Sequence, residues 1–571
     1  SANTVGSKNT AIGSSALLVM NPATATDMHN TAVGYHSGRL VSTGIRNTLI
    51  GSEAGDALTT ANDNVAVGAL ALSGDTLGAQ SVAIGRGALK VQNFTTATNA
   101  LNVAVGYSAG EAVTTAINNV LIGGLAGDAL QAGSDNTVVG YNALGAETGA
   151  QNNVAIGTNA LATQNITSGN VYNTAVGSKA GQQLTTATDT VLVGGLAGDA
   201  LNTGTENTVV GAGALGADTK GSNSVAVGRL ALAAQNFSTS SNPYNVAVGR
   251  SAGASITTGI YNTLVGGLAG DALEDADHNV AIGFQALTSD TLGSRSIAIG
   301  KQALNTQNAT SAANMENVAV GYEAGVNLTT GQQNTIVGAN VGGNMTTGSV
   351  NSFYGYESGA SGTITGSANA GYGNSTLGGL TSGDNNVGVG NAAGFQITSG
   401  DNNICIGHDA GRSASPSGVI TTGDNQLCLG NNLTANIFQR VATTVTSDQR
   451  DKTDVVDLTA GLDFVKALEP VVYKWDQRSD YLDPENESMT LDDVTPDGTH
   501  KKPQLDVGFL AQKVIEQEEA LGYKMSDETN LVSGISTDGK SYGLKYEKFV
   551  PILVKAIQEL SAEVEKLKSG G

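Results

Sequence analysis

Asn64-Val65-Ala66-Val67-Gly68 decides how this chain is read, because it returns as Asn153-Val154-Ala155-Ile156-Gly157 and as Asn279-Val280-Ala281-Ile282-Gly283. Each copy closes on glycine and is usually followed by an Ala-Leu or Ala-Gly pair. The closing glycines run 34, 51, 68, 85, 106, 123, 140, 157 and onward to 355, in steps of 17, 17, 17 and then 20 or 21. Four steps make a superrepeat of 71 or 72 residues, visible in Gly51–Leu58 (GSEAGDAL) and its echoes Gly123–Leu130, Gly194–Leu201 and Gly266–Leu273 (GGLAGDAL). A 17-residue unit is too short for a helix pair with its turns, but it suits one coil of a stacked parallel β-solenoid. Short Val/Ile segments closed by Gly and Asn read as strands that end in tight turns. The motif continues less regularly at Gly390, Gly407 and Gly430. About 24 coils at the roughly 4.8 Å strand spacing predict a rod on the order of 115 Å long.

A strand with one wet face alternates apolar and polar residues, yet Val65-Ala66-Val67 and Leu121-Ile122 are apolar on both faces. One face fills the coil's interior, and the other needs a partner surface, which points to several chains side by side. The alternative is that the middle Ala is tolerated at the surface.

Composition removes several classes. Of 571 residues 77 are Gly and 8 are Pro, 40% are hydrophobic and 14% charged, and the net charge is −22. Disordered chains lack that apolar content, and collagen needs a Gly-X-Y period with abundant Pro. Nucleic acid and anionic membranes require a concentrated basic patch, so neither is an expected partner. Cys405 and Cys428 are too few for a disulfide framework or a four-ligand zinc site, and no metal or cofactor is expected. No run of about 18 apolar residues occurs, and the N-terminus lacks the basic-then-apolar pattern of a secretory signal.

Charge divides the chain. Residues 447–571 hold 25 of the 50 acids and 15 of the 28 bases, whereas 68 of the 77 glycines precede Ser447. The expected domains are a repetitive shaft over 1–350, an irregular solenoid and candidate distal tip over 351–446, and an α+β domain over 447–571, with the last boundary near 440–447. In the last domain Asp506 to Leu521 reads as a helix and Lys545 to Lys568 as a longer one. Val550, Leu553, Ile557, Leu560, Val564 and Leu567 alternate steps of 3 and 4, the seam of a coiled coil that wants partners. Pro551 sits in the first turn, where a missing amide costs little.

The Asn-x-Val-Ala-Ile-Gly coil resembles the left-handed parallel β-roll repeat in the heads of trimeric autotransporter adhesins, and similar repeats occur in phage tail fibres. Three further stretches resemble one family: Ser447-Asp448-Gln449-Arg450-Asp451-Lys452, Val507-Gly508-Phe509-Leu510-Ala511-Gln512, and Tyr546 to Leu567. Together they are similar to the C-terminal intramolecular chaperone and self-cleaving peptidase of phage tail spikes and fibres, of the endosialidase type. That resemblance implies a homotrimer assembled by the domain, followed by a cut before the serine of Ser-Asp-x-Arg-x-Lys. The implied scissile bond is Thr446–Ser447, with Ser447 as nucleophile, Lys452 as general base, and Asp448 and Arg450 as motif partners. Asp451 stands where relatives often carry an apolar residue, and a carboxylate there is expected to raise the Lys452 pKa and slow the cut. The chemistry is coherent, since a serine needs a base and a lysine serves once burial or charge lowers its pKa. At most this is a single-turnover serine autoprotease.

The expected function is a phage tail-fibre subunit for host attachment: a homotrimeric, mainly β solenoid rod, made in the host cytoplasm and carried on the virion. Its N-terminal end is expected to meet other tail or baseplate proteins, and its receptor is expected to be a glycan or surface protein. Phe353, Tyr354, Tyr356, Tyr372 and Phe395 concentrate aromatic residues in the irregular stretch and are the candidate receptor contacts, although core or interchain packing also accounts for them. The insertions at Val91–Thr95, Thr163–Thr167, Ala234–Ser238 and Thr306–Thr310 are read as a row of structural bulges, with a carbohydrate ridge as the other use. Asp56, Asp128, Asp199 and Asp271 recur at the superrepeat and are read as turn caps rather than cation ligands. The alternatives are a bacterial trimeric surface adhesin and a polysaccharide-depolymerising spike. The latter needs a carboxylate pair across a cleft, which the sparse acids before residue 447 do not offer.

Overall fold

The computed structural model describes residues 5–413, 415–434, 436–438, 440, 445–482, 489–536 and 538–570, so residues 441–444 of the expected boundary lie outside the described residues. The chain divides into two units, Ser1–Asn334 and Thr335–Gly571. The first is a solenoid. Its 18 three-residue strands, from Thr10–Ile12 to Val318–Val320, pair in order with parallel partners. Register is kept residue for residue, as in Val103↔Val120, Ala104↔Leu121 and Val105↔Ile122. The second unit carries six more strands, Thr335–Val337 to Leu427–Leu429, stacked in the same manner, and then the α+β domain.

The middle residue of each strand points inward: Leu49, Ala66, Ala83, Ala104 and Leu121 are fully buried. Its two neighbours face out, so Val65 and Val67 are half-exposed while Ile50, Ile84 and Ile122 are exposed. The alanine is therefore the core residue, and the branched side chains form the outer apolar face. Closing the coil requires glycine. Gly51 has φ +137 and Gly140 φ +140, and a Cβ on either would sit 2.5 Å from the carbonyl oxygen of the closing glycine one coil on.

Two interior columns explain the period. The asparagine before most strands is buried and hydrogen-bonds both ways along the stack, and Ser81, Thr190, Ser224 and Ser296 take its buried place at four coils. Asn119 Oδ1 accepts from the Asn136 backbone N–H at 3.0 Å, and Asn119 Nδ2 donates to Gly133 O at 3.0 Å. The second column lies seven residues past each closing glycine. It reads Val41, Leu58, Asp75, Gln92, then Val113, Leu130, Glu147, Gln164, then Leu184, Leu201, Asp218, Gln235, then Ile256, Leu273, Asp290, Gln307, all buried. Each acid meets the glutamine of the next coil, as in Gln235 Nε2 to Asp218 Oδ2 at 2.6 Å and Gln164 Nε2 to Glu147 Oε2 at 3.0 Å. The glutamine oxygen then accepts from an asparagine, Asn245 Nδ2 to Gln235 Oε1 at 2.9 Å. Asp218 also accepts from the Gly221 and Phe237 backbone amides, which pins the start of the inserted loop. The superrepeat is thus a count of two apolar layers and two polar ones, because a buried carboxylate persists only where donors surround it.

In the C-terminal domain, helices α1 (Leu462–Ala467), α2 (Ala511–Ala520) and α3 (Phe549–Ser569) enclose a core of Ala460, Phe464, Val514, Val532, Phe549 and Ile552. The helix expected over Asp506–Leu521 begins five residues late. Asp506–Gly508 is a strand paired antiparallel with Val471–Tyr473, and a Cβ on Gly508 would lie 2.5 Å from the Tyr546 hydroxyl. Likewise Tyr546–Lys548 is a 3-10 turn ahead of α3 rather than its first residues. Glu559 of α3 accepts from the Leu462 N–H at 2.7 Å and so ties the two helices. Gln235→Leu is expected to lower stability by about 1–3 kcal/mol, since it strands the Asp218 carboxylate and the Asn245 amide. Thermal unfolding beside Thr239→Ala, in the exposed loop, checks this: the loop variant is expected to match the parent.

Candidate functional site

Asp448 organises the segment that begins the α+β domain. Its backbone is extended, and its side chain caps a 3-10 turn over Gln449–Asp451 by accepting the Arg450 N–H at 2.9 Å. The same carboxylate grips the Arg450 guanidinium, with Nη2 to Oδ2 at 2.7 Å and Nε to Oδ1 at 3.1 Å. The Arg450 hydrogen bond holds the Asp448 carboxyl below its usual range, and Asp448 in return raises Arg450. The turn shortens the five-residue separation so that Lys452 Nζ reaches Ser447 Oγ at 2.6 Å. All four motif residues are thereby drawn into one turn, with Ser447 and Lys452 exposed. Among the described residues no ion pair links Asp451 to Lys452, whereas Asp448 pairs with Arg450.

The aromatic set separates. Phe353 is the inward residue of its strand and is 0% exposed, so it is a core residue and leaves the list of receptor contacts. Tyr354 and Tyr372 stack on adjacent coils with ring centroids 5.0 Å apart, and Tyr356 and Tyr372 remain exposed. Phe395 is partly buried beneath the Arg412 guanidinium at 5.2 Å. In the inserted loops Phe94 and Phe237 are buried, so these aromatics anchor the bulges from within. Asp56, Asp128 and Asp199 are half-buried, and burial pushes each carboxyl above its ordinary value. Asp56 lies 3.6 Å from Arg39, and Asp271 accepts from Thr288. No group of three or more His, Cys, Asp or Glu that would hold a metal occurs among the described residues.

The contact of the α+β domain with the last coils had no sequence signal, because its residues are ordinary loop types. Asp538 Oδ2 accepts from the Val419 N–H at 3.3 Å, and Asn432 Nδ2 donates to Ser479 Oγ at 2.7 Å. Gly418 has φ +68, and a Cβ there would stand 2.7 Å from Asp538 Oδ1. Burial alone would raise the Asp538 carboxyl. Hydrogen bonds from Ser536, Lys540 N and Val419 N, with the Lys540 charge, nevertheless hold it below the usual range.

The structure thus joins a parallel β-solenoid to a small α+β domain, with a serine and a lysine paired where the second begins. Residues 447–523 match the family described as the chaperone of endosialidase, and the match begins at Ser447. No curated protein matches the chain in sequence. The domain and a solenoid of about 24 coils fit a tail fibre or spike with a C-terminal chaperone.

Because the charged form of Asp538 is favoured in the docked state, its contribution is complete above the ordinary aspartate value of about 3.9 and is lost as pH falls below it. The thermal-midpoint deficit of Asp538→Asn relative to the parent is therefore expected to be full at neutral pH and to close only as pH is lowered below about 4. A deficit independent of pH contradicts the assignment.

Proposed function

We propose that this chain is the subunit of a homotrimeric phage tail fibre or spike that serves host attachment, and that residues 447–571 direct its trimerisation before cutting themselves free at Thr446–Ser447. The observation that carries this reading is the family match beginning at the serine whose hydroxyl the Lys452 ammonium group already touches. The surfaces support several copies. Val550, Leu553, Ile557, Leu560, Val564 and Leu567 all lie exposed on α3, while Phe549, Ile552 and Ala556 hold the helix to its own core. A groove of about 310 Å³ lined by Val465, Leu468, Pro470, Phe509, Tyr546, Phe549 and Leu553 continues that seam at its N-terminal end. An apolar face of this extent on a monomer is the signature of an interaction surface.

In the proposed cut, Ser447 Oγ attacks the Thr446 carbonyl carbon, and the new C–O bond replaces the C–N bond to Ser447. Lys452 in its neutral form takes the hydroxyl proton, which passes to the departing Ser447 nitrogen. Water then hydrolyses the ester, leaving a Thr446 carboxylate and a Ser447 amine. Lysine becomes a base when its charged form is desolvated. Both side chains are exposed in the single chain, so cover from a neighbouring subunit couples cutting to assembly. Such coupling makes the cut a report of completed folding. No helix among the described residues is long and apolar enough to cross a membrane.

The denatured mass of freshly expressed chain, compared with Ser447→Ala and Lys452→Met, tests the proposal. Two fragments meeting at Thr446/Ser447 are expected from the parent, and one intact mass from each variant. An intact parent rejects the autoprotease. Cleavage that persists in Ser447→Ala assigns the cut to another protease.

A further inference from the structure

The residue that follows each closing glycine forms an outward column. Its carbonyls are bonded coil to coil: Ser251 N to Arg229 O at 2.9 Å, Leu268 N to Arg250 O at 3.0 Å, Gln285 N to Gly267 O at 3.0 Å, Gln302 N to Phe284 O at 2.9 Å, and Glu323 N to Lys301 O at 2.9 Å. In the first unit the column reads Ser14, Tyr35, Ser52, Ala69, Arg86, Tyr107, Gly124, Tyr141, Thr158, Ser178, Gly195, Ala212, Arg229, Arg250, Gly267, Phe284, Lys301, Tyr322. It contains no acid, although the chain carries 50 acids against 28 bases. Five of its residues are aromatic and about half-exposed, including Tyr107 at 55%, Phe284 at 50% and Tyr322 at 48%.

Its best-developed stretch spans six consecutive coils, from Arg229 to Tyr322, about 24 Å at the strand spacing. Arg229 and Arg250 are exposed, and among the described residues neither forms an ion pair. Gly267 carries no side chain beside the Phe284 ring, whose Cδ2 would be 3.5 Å from a Cβ at that position. One edge of the ring is therefore left open. Lys301 Nζ lies 5.0 Å from the Tyr322 ring centroid, 3.4 Å from its hydroxyl and 3.6 Å from Glu323 Oε1. The pairing recurs in Arg86 and Tyr107, with the guanidinium 5.7 Å from the ring centroid and Nη1 3.2 Å from the hydroxyl.

We propose that this column is a binding ridge for a linear, carboxylate-bearing polysaccharide lying along the shaft. Aromatic faces pack against the C–H faces of pyranose rings, and a guanidinium takes a carboxylate through two parallel hydrogen bonds. A rigid ladder with a fixed rise matches a polymer with a fixed repeat, and two coils rise about 10 Å, the scale of a disaccharide. Unpaired cations on a chain of net charge −22 supply the charge complementarity. A duplex nucleic acid, whose phosphates recur about every 3.4 Å along each strand, is out of step with a ladder that rises about 4.8 Å per coil. The proposal rests on the attachment reading only for the source of its ligand, whether capsule or another cell-surface glycan.

The test uses the full chain at low ionic strength, with polygalacturonate oligosaccharides as probe and dextran as the uncharged control. Binding of polygalacturonate and not of dextran is expected. Arg229→Ala/Arg250→Ala and, separately, Phe284→Ala are expected to weaken it roughly tenfold or more, a difference of about 1.4 kcal/mol. Arg46→Ala, which removes an arginine already paired with Asp63 off the column, is expected to bind as the parent does. Equal binding by the double variant overturns the ridge, as does tighter binding of single-stranded DNA than of polygalacturonate. So does failure of Phe284→Cys to react with a thiol reagent in the native assembly, because a neighbouring chain then covers the column. A three-chain assembly that ignores polygalacturonate removes the ridge alone. A chain that binds it without forming that assembly keeps the ridge and removes the fibre reading.

Discussion

In-register stacking is the constraint on which the solenoid depends. Each residue sits directly above its counterpart one coil away, so whatever occupies one position of the coil becomes a column. Inside, the rule is severe: a buried polar group must find its donors in the coil above or below. The asparagine column meets it by bonding to its own kind, and the acid column meets it by alternating with glutamine. Outside, the same rule turns single residues into continuous surfaces. The Val and Ile residues beside each buried strand centre become one apolar face, and the residues after the closing glycines become a second, polar and aromatic, edge.

Much of this was legible in the sequence because columns leave periods. The Asn-x-apolar-apolar-Gly unit gave the coil, its length and its parallel pairing, and the double apolar character of Val65-Ala66-Val67 gave two apolar environments. Which environment was the core required the structure, since alanine is compatible with either. The acid and glutamine pairs also stood in the text at a regular spacing, as Asp75 and Gln92 or Asp218 and Gln235. Their meaning was hidden because neither residue type signals burial by itself. Phe353 marks a limit of composition: aromatic enrichment suited receptor contact and core packing alike, and only the structure places this residue in the strand-centre column that Ala and Leu fill elsewhere.

The α+β domain was legible by motif rather than by period. Ser447 to Lys452 fold into one turn because Asp448 caps it locally, so the motif carried its own geometry. Val507-Gly508-Phe509 was misread as helix because an apolar run before a helix shares the helix's hydrophobicity. Pairing with Val471–Tyr473 and the close approach of the Tyr546 hydroxyl to Gly508 are tertiary facts. The docking of Asp538 on the Val419 amide is tertiary in the same sense.

Two apolar surfaces, the outer strand face and the α3 seam, lie open on one chain, and the proposed assembly with further copies would cover both. The native mass of the Ser447→Ala chain, by sedimentation at several concentrations, tests this most directly, because it keeps every subunit at its full 57.3 kDa. Three chains per particle, unchanged on dilution, is the result this account predicts. A particle of one 57.3 kDa chain would contradict it.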